Sequence, residues 1–198
     1  MIISDTHKFV YYDPPKTAST ALDSFFIQNY GGVTQKRLNR GAVRTKHARN
    51  PAPEGYLRIA SVRNPFKRAT SYYFFQKYMP HSKRVMLMNE DAFKSFDTWL
   101  DFLIENNKKD THTQDSIEYI YFPYWKFLEP MGYDEIIKVE SLSEDLSKLP
   151  FINKKVNIPK VNSTKKYSTW EELETPERKE KIIAWAGKDF ELFGYETT

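Results

Sequence analysis

Between Tyr11 and Leu22 the chain reads Tyr-Tyr-Asp-Pro-Pro-Lys-Thr-Ala-Ser-Thr-Ala-Leu, so that Lys16, Thr17, Ser19 and Thr20 fall within five positions of one another, with only Ala18 among them. One ammonium and three hydroxyls so close together suit one task, the holding of phosphate-like oxygens. The flanking residues indicate how they would be positioned. Lys8-Phe9-Val10-Tyr11-Tyr12 is β-branched and aromatic and predicts a short buried strand, whereas Leu22, Phe25 and Phe26 recur at helical spacing. A helix entered from a strand through a tight turn presents its first backbone N–H groups without partners inside the helix, at the positive end of its dipole. No G-x-x-x-x-G-K-[ST] occurs in the sequence, so the chemistry is that of a phosphate cradle without the glycines of a Walker loop. An ordinary turn with Ser19 or Thr20 as a helix cap fits the same residues.

A second stretch shifts the balance toward the anion site. Leu57–Val62 alternates like a strand and ends in Arg63-Asn64-Pro65, where Asn64 suits an N-cap and Pro65 a first helical residue. The predicted helix runs from Phe66 through Phe74. Ser71 lies about two turns after Asn64, on the stripe that continues from the Arg63 end. A forked guanidinium and a hydroxyl on one face make a compact site for a second, terminal phosphate.

The two segments, Pro15-Lys16-Thr17-Ala18-Ser19-Thr20 and Val62-Arg63-Asn64-Pro65-Phe66-Lys67-Arg68-Ala69-Thr70-Ser71-Tyr72-Tyr73, together resemble the cofactor-binding segments of sulfotransferases that use 3′-phosphoadenosine 5′-phosphosulfate (PAPS). The first is similar to the family's 5′-phosphosulfate loop, which would assign Lys16, Thr17, Ala18, Ser19 and Thr20 to the cofactor. The second is similar to its 3′-phosphate segment, which would assign Arg63 and Ser71. Within the family the likeness is greatest to carbohydrate sulfotransferases of the heparan sulfate 2-O type and their bacterial relatives. The resemblance implies a P-loop-like sulfotransferase fold, PAPS as co-substrate without a metal, and a hydroxyl-bearing acceptor, expected to be a carbohydrate.

The resemblance also implies roles for residues whose own surroundings are uninformative. Sulfuryl transfer needs a base for the acceptor hydroxyl, and histidine's ordinary pKa suits that work near neutrality. In the carbohydrate 2-O-sulfotransferases the base is a histidine between the two cofactor segments; His47, in the basic tract from Lys36 to Pro53, occupies that interval. His112 and Gln114, in a polar turn, are similar to a His and Gln that related bacterial enzymes carry near the acceptor, and His112 is a second candidate for the base. Ser163, Thr164 and Lys165 lie in a basic loop of the kind that closes over PAPS in the family. Solvated loops are the alternative reading of these residues, with His47 the one favoured for a chemical role.

Composition bounds the alternatives. With 198 residues the chain predicts a single domain, 1–198, large enough for a real core. There is no cysteine, which removes disulfides, thiolate chemistry and cysteine-rich zinc sites. The four histidines show no H-E-x-x-H or similar spacing. No apolar run approaches the roughly 20 residues of a membrane span, and Met1–Asp5 lacks the regions of a signal peptide, so a soluble, cytoplasmic protein is expected. The net charge of +4 comes from 30 basic and 26 acidic residues dispersed along the chain, which a polyanionic ligand explains without nucleic acid. Two other classes fit parts of this pattern. One is a P-loop-type kinase, for which Mg²⁺ ligands and a Gly-rich loop are not recognisable; the other is a non-catalytic module that binds nucleic acid or glycan.

The remaining elements follow local rules. Gly31-Gly32 should end the first helix. Ser95 should cap an amphipathic helix with Phe96, Trp99, Leu100, Leu103 and Ile104 on one face. Glu135–Val139 reads as a further buried strand, Ser141-Leu142-Ser143-Glu144 as a capping box opening a helix through Leu149. Thr175-Pro176-Glu177 should start a helix with Ile182, Ile183 and Ala186 inward. This strand and helix alternation predicts an α/β fold, a central parallel sheet flanked by helices, with ligand at the carboxyl ends of the strands.

Overall fold

Ile2–Ser4 (β1) and Phe9–Tyr12 (β2) are separated by four residues, too few for a crossover, so the two strands pair antiparallel with Ile2 opposite Tyr11 and Ser4 opposite Phe9. Lys8 closes the hairpin in a left-handed conformation, φ 51°. The computed structural model describes residues 1–34, 51–78, 90–108, 121–153, 156–158 and 167–198. Among these, β1 and β2 belong to a five-stranded sheet completed by β3 (Val33–Thr34), β4 (Leu57–Val62) and β5 (Glu135–Lys138), in the order β3-β1-β2-β4-β5. β2, β4 and β5 pair parallel, while β1 runs the opposite way and pairs antiparallel with both β2 and β3. The expected sheet is thus parallel over three strands and mixed as a whole, because Met1–Asp5 supplies a hairpin arm.

The described residues divide into two compact units. The first, residues 1–34, 51–63, 126–153 and 156–158, holds the sheet. All four β2 residues are fully buried, as a central strand covered on both faces requires. Helix α1 (Ser19–Tyr30) lays Leu22, Phe26 and Tyr30 on the sheet face made by Ile2, Phe9, Tyr11, Ile59 and Ile137, and the Phe26 ring lies 5.0 Å from those of both Phe9 and Tyr11. Gly31, left-handed at φ 61°, ends α1 with its N–H on the Phe26 carbonyl, as Gly31-Gly32 predicts.

Two local expectations in this unit are corrected. β5 is an edge strand in which Ile137 alone is fully buried, not an interior one. Ser141 precedes helix α5 (Leu142–Ser147) but makes no side-chain cap. Its Oγ donates instead to Asp145 at 2.7 Å, and the same carboxylate accepts the Lys138 N–H at 2.9 Å. The Ser141 hydroxyl is thus oriented by a charge-assisted bond to this carboxylate, and its oxygen accepts from no N–H of the helix.

The second unit, residues 64–78, 90–108, 121–125 and 167–198, is helical. It contains α2 (Pro65–Tyr78), α3 (Phe96–Lys108), α6 (Trp170–Leu173) and α7 (Pro176–Phe193), and the unit boundary passes through the short α4 (Tyr124–Leu128). Asn64 caps α2, its Oδ1 accepting from Phe66 and Lys67 at 3.0 and 3.3 Å, with Pro65 following as predicted. Ser95 Oγ accepts the Thr98 N–H at 3.1 Å, and Phe96, Trp99, Leu100 and Leu103 are buried. Thr175 accepts from Arg178 N–H at 3.3 Å to open α7, which buries Ile182 and Ala186 and leaves Ile183 half-buried. α7 kinks at Ala186, where φ is −129°, and Asn107 Nδ2 donates to the Trp185 carbonyl at 3.0 Å beside the break.

The centre of this unit is a buried charge pair. Arg68 and Asp189 are each nearly inaccessible to water, with Nη1 and Oδ2 3.7 Å apart. Arg68 Nη2 donates to the Phe122 carbonyl at 2.6 Å, and its guanidinium carbon lies 3.7 Å from the centroid of the Tyr124 ring. The Asp189 carboxylate accepts the N–H groups of Tyr124 and Trp125, both at 2.8 Å, and so caps α4 from a distant part of the chain.

Candidate active site

The turn between β2 and α1 is Asp13–Ala18, and two of its residues, Lys16 (φ 72°) and Ala18 (φ 58°), hold left-handed backbone without being glycine. Each such residue costs on the order of 1–2 kcal/mol, and among the described non-glycine residues only Lys8 shares the conformation. The turn therefore takes up with lysine and alanine a backbone that glycine adopts without strain. Replacing the strained alanine tests this. Ala18→Gly should raise the unfolding free energy by about 0.5–1 kcal/mol, strain relief exceeding the extra chain entropy of glycine, and denaturant unfolding that shows a loss would contradict the assignment.

Ala18 is the N-cap of α1 and, having no polar side chain, leaves the helix end uncapped. Its carbonyl accepts from Ala21 and Leu22 at 2.9 and 3.1 Å. The N–H groups of Thr17, Ala18 and Ser19 carry no hydrogen bond among the described residues. The first turn contains no acidic residue. The Ser19 or Thr20 cap that the sequence left open is thus not formed, and what remains is an end whose donors and dipole favour an anion. Lys16 and Ala18 are half-buried, Ser19 is buried and Thr20 exposed.

Thr17 is arranged differently from what its place in the motif suggests. It is fully buried, and its Oγ1 donates to the Pro14 carbonyl at 2.7 Å while accepting from Ser61 Oγ at 2.7 Å. The hydroxyl proton is committed inside the protein, so the group Thr17 can offer an anion is its backbone N–H. Ser61 in turn lies 2.7 Å from the Tyr11 hydroxyl. Burial, reinforced by the charges of Asp23 and Asp13, pushes the Tyr11 pKa well above its ordinary value against the pull of its hydroxyl neighbours, so Tyr11 stays protonated.

Arg63 belongs to the same unit and follows Val62, the last residue of β4. β4 pairs parallel with β2, Tyr12 opposite Ala60, so the turn and Arg63 both leave the carboxyl ends of adjacent parallel strands. Arg63 is half-buried, yet its Nε is buried with no hydrogen-bond partner among the described residues. A buried donor without an acceptor is costly, about 1–3 kcal/mol, and an anionic ligand would remove that cost. Ser71 is buried in α2, in the second unit.

The structure thus brings Lys16, Thr17, Ala18, Ser19, Thr20 and Arg63 to one end of one sheet. His47, His112, Gln114, Ser163, Thr164 and Lys165 lie outside the described residues. Among the described residues no three His, Asp or Glu side chains gather as a metal site, and no helix is long and apolar enough to cross a membrane. Tyr11 and Ser61 had not been singled out from sequence. The available signal was Ser61 itself, a hydroxyl two residues after Ile59 and therefore on the strand face that packs into the core.

Compared with known proteins, the chain matches the model of the sulfotransferase family over residues 1–196. No curated protein matches it, and no solved structure does. A match over all but two residues, running through both the Asp13–Ala18 turn and the Arg63 segment, makes the chain a member of the sulfotransferase family.

Proposed function

We propose that the chain moves a sulfuryl group from PAPS to a hydroxyl of a carbohydrate acceptor, in the manner of the heparan sulfate 2-O-type enzymes, with residues 1–198 acting as one catalytic domain. The observation that carries this reading is the uncapped, left-handed entry to α1 beside Arg63 at the carboxyl ends of β2 and β4. PAPS supplies the activated sulfuryl group. The N–H groups of Thr17, Ala18 and Ser19 and the Lys16 ammonium would hold its 5′-phosphosulfate oxygens, with Ser19 and Thr20 adding hydroxyls. Arg63 and Ser71 would hold the 3′-phosphate, and Ser163, Thr164 and Lys165 would close over the nucleotide. His47 would accept the proton of the acceptor hydroxyl, while His112 and Gln114 bind the acceptor. Lys16 would neutralise charge that builds on the sulfuryl and bridging oxygens, with no metal ion required.

Three measurements test this reading. PAPS and adenosine 3′,5′-bisphosphate should raise the unfolding temperature while ATP with Mg²⁺ does not; stabilisation by ATP alone would favour a kinase. Incubation with ³⁵S-labelled PAPS and a cell extract should yield labelled carbohydrate, and label confined to protein or lipid would displace the acceptor assignment. Arg63→Ala should weaken adenosine 3′,5′-bisphosphate by about 10- to 100-fold, as expected for a charge-assisted bond of about 1.5–3 kcal/mol. Unchanged affinity would place the 3′-phosphate elsewhere.

A further inference from the structure

Tyr11, Ser61, Thr17 and Pro14 form a buried chain of three hydrogen bonds, each 2.7 Å long. Counting protons gives the chain a single direction. Thr17 has one hydroxyl proton and donates it to the Pro14 carbonyl; Ser61 has one and donates it to Thr17. The remaining bond must therefore run from the Tyr11 hydroxyl to Ser61, and burial keeps that hydroxyl protonated. The sequence runs Tyr11 to Ser61 to Thr17 to Pro14, starting on β2, crossing to β4 and ending on the turn that carries Lys16. It connects two parallel strands to the turn in which Lys16 and Ala18 hold strained left-handed backbone.

We infer that Tyr11 and Ser61 are positioning residues, whose hydroxyls hold the Pro14–Ala18 turn in its anion-accepting shape through the side chain of Thr17. This rests on the nucleotide reading for its functional consequence, but its conformational content is independent of it. Thr17 then serves the nucleotide through the backbone it fixes and not through its own hydroxyl. A turn released from the chain would relax toward right-handed backbone at Lys16 and Ala18, changing the directions of the Thr17, Ala18 and Ser19 N–H groups.

The test combines amide hydrogen exchange at Ala21 and Leu22 of the unliganded protein, whose N–H groups donate to the Ala18 carbonyl of the turn, with the affinity for adenosine 3′,5′-bisphosphate. Ser61→Ala and the isosteric Thr17→Val should both accelerate exchange at these amides, leave exchange in β2 and β4 as in the wild type, and weaken nucleotide binding at least about tenfold. Thr17→Ser, which keeps the hydroxyl, should restore both. Tyr11→Phe keeps the ring and should give a smaller change in the same direction, which preserves the test if Ser61→Ala does not fold. Wild-type exchange at Ala21 and Leu22 in Ser61→Ala and Tyr11→Phe would overturn the inference. So would a loss of affinity in Thr17→Val that Ser61→Ala does not share, since Thr17 would then touch the ligand directly. If the wild-type protein binds no bisphosphate nucleotide, the functional reading fails, and the exchange data still decide whether the hydroxyl chain holds the turn.

Discussion

Lys16→Ala is expected to lower turnover by about 100-fold or more, the loss typical of removing one fixed donor from developing transition-state charge. Alanine is the informative replacement because Lys16 sits at φ 72°. It retains a Cβ, so the backbone preference of the turn is nearly unchanged and the variant reports on the ammonium. Glycine at this position would relieve strain and remove the charge at once. Lys16→Arg should recover little of the loss, because a planar guanidinium presents its donors in a fork and cannot replace a compact ammonium at a single bridging position. Single-turnover rates at saturating PAPS, with nucleotide affinity measured separately, distinguish a chemical role from a binding one. A variant with wild-type turnover would end the case for the lysine turn as the catalytic centre.

Removing the carboxylate of Asp189 should produce the largest loss of stability. Asp189→Ala strands the Arg68 guanidinium, which is buried and has its Nε and Nη1 without hydrogen-bond partners, and breaking a buried pair from one side costs about 3–5 kcal/mol. The N–H groups of Tyr124 and Trp125 lose their acceptor at the same time. The pair also has a pH signature. Burial raises the Asp189 pKa to about 6, against the opposing pull of Arg68 and of the Tyr124 and Trp125 N–H groups. An unfolded aspartate releases its proton near 3.9, so the folded state binds this proton more tightly than the unfolded one. Its contribution to stability is therefore fully present below about pH 4 and is lost as the pH rises through about 6, by up to about 3 kcal/mol. Denaturant unfolding across pH 4–7 should show this component in the wild type and not in Asp189→Ala, the two curves separating toward acid. Curves that stay parallel would mean that Asp189 does not titrate in this window.

Much of the scaffold follows from relations within one or two helical turns, and these were legible in the residues themselves. Asn64-Pro65 opens α2, Ser95 opens α3 and Thr175-Pro176 opens α7, because a cap needs only a polar side chain within reach of an N–H two or three positions ahead. Leu22 and Phe26 face the sheet together because a spacing of four residues places them on one side of a helix. Where a side chain was oriented by another partner, or a strand by its pairing, the local rule failed. Ser141 turned to the Asp145 carboxylate, and the hairpin of β1 and β2 made mixed a sheet whose strand and helix alternation had implied parallel strands throughout.

The lysine turn, the arginine that follows β4 and the resemblance to sulfotransferases were determined by residue order alone, since each is a matter of neighbours along the chain. The partners of those residues were decided by the tertiary structure. That Thr17 donates inward to Pro14, that Ser61 reaches it from 44 positions away and that Asp189 faces Arg68 from the far end of the chain depend on strand register and helix packing. A hydroxyl or a carboxylate carries no mark in sequence of which buried group will satisfy it. That choice is made when the chain closes and every buried donor must find an acceptor or leave an energetic cost behind.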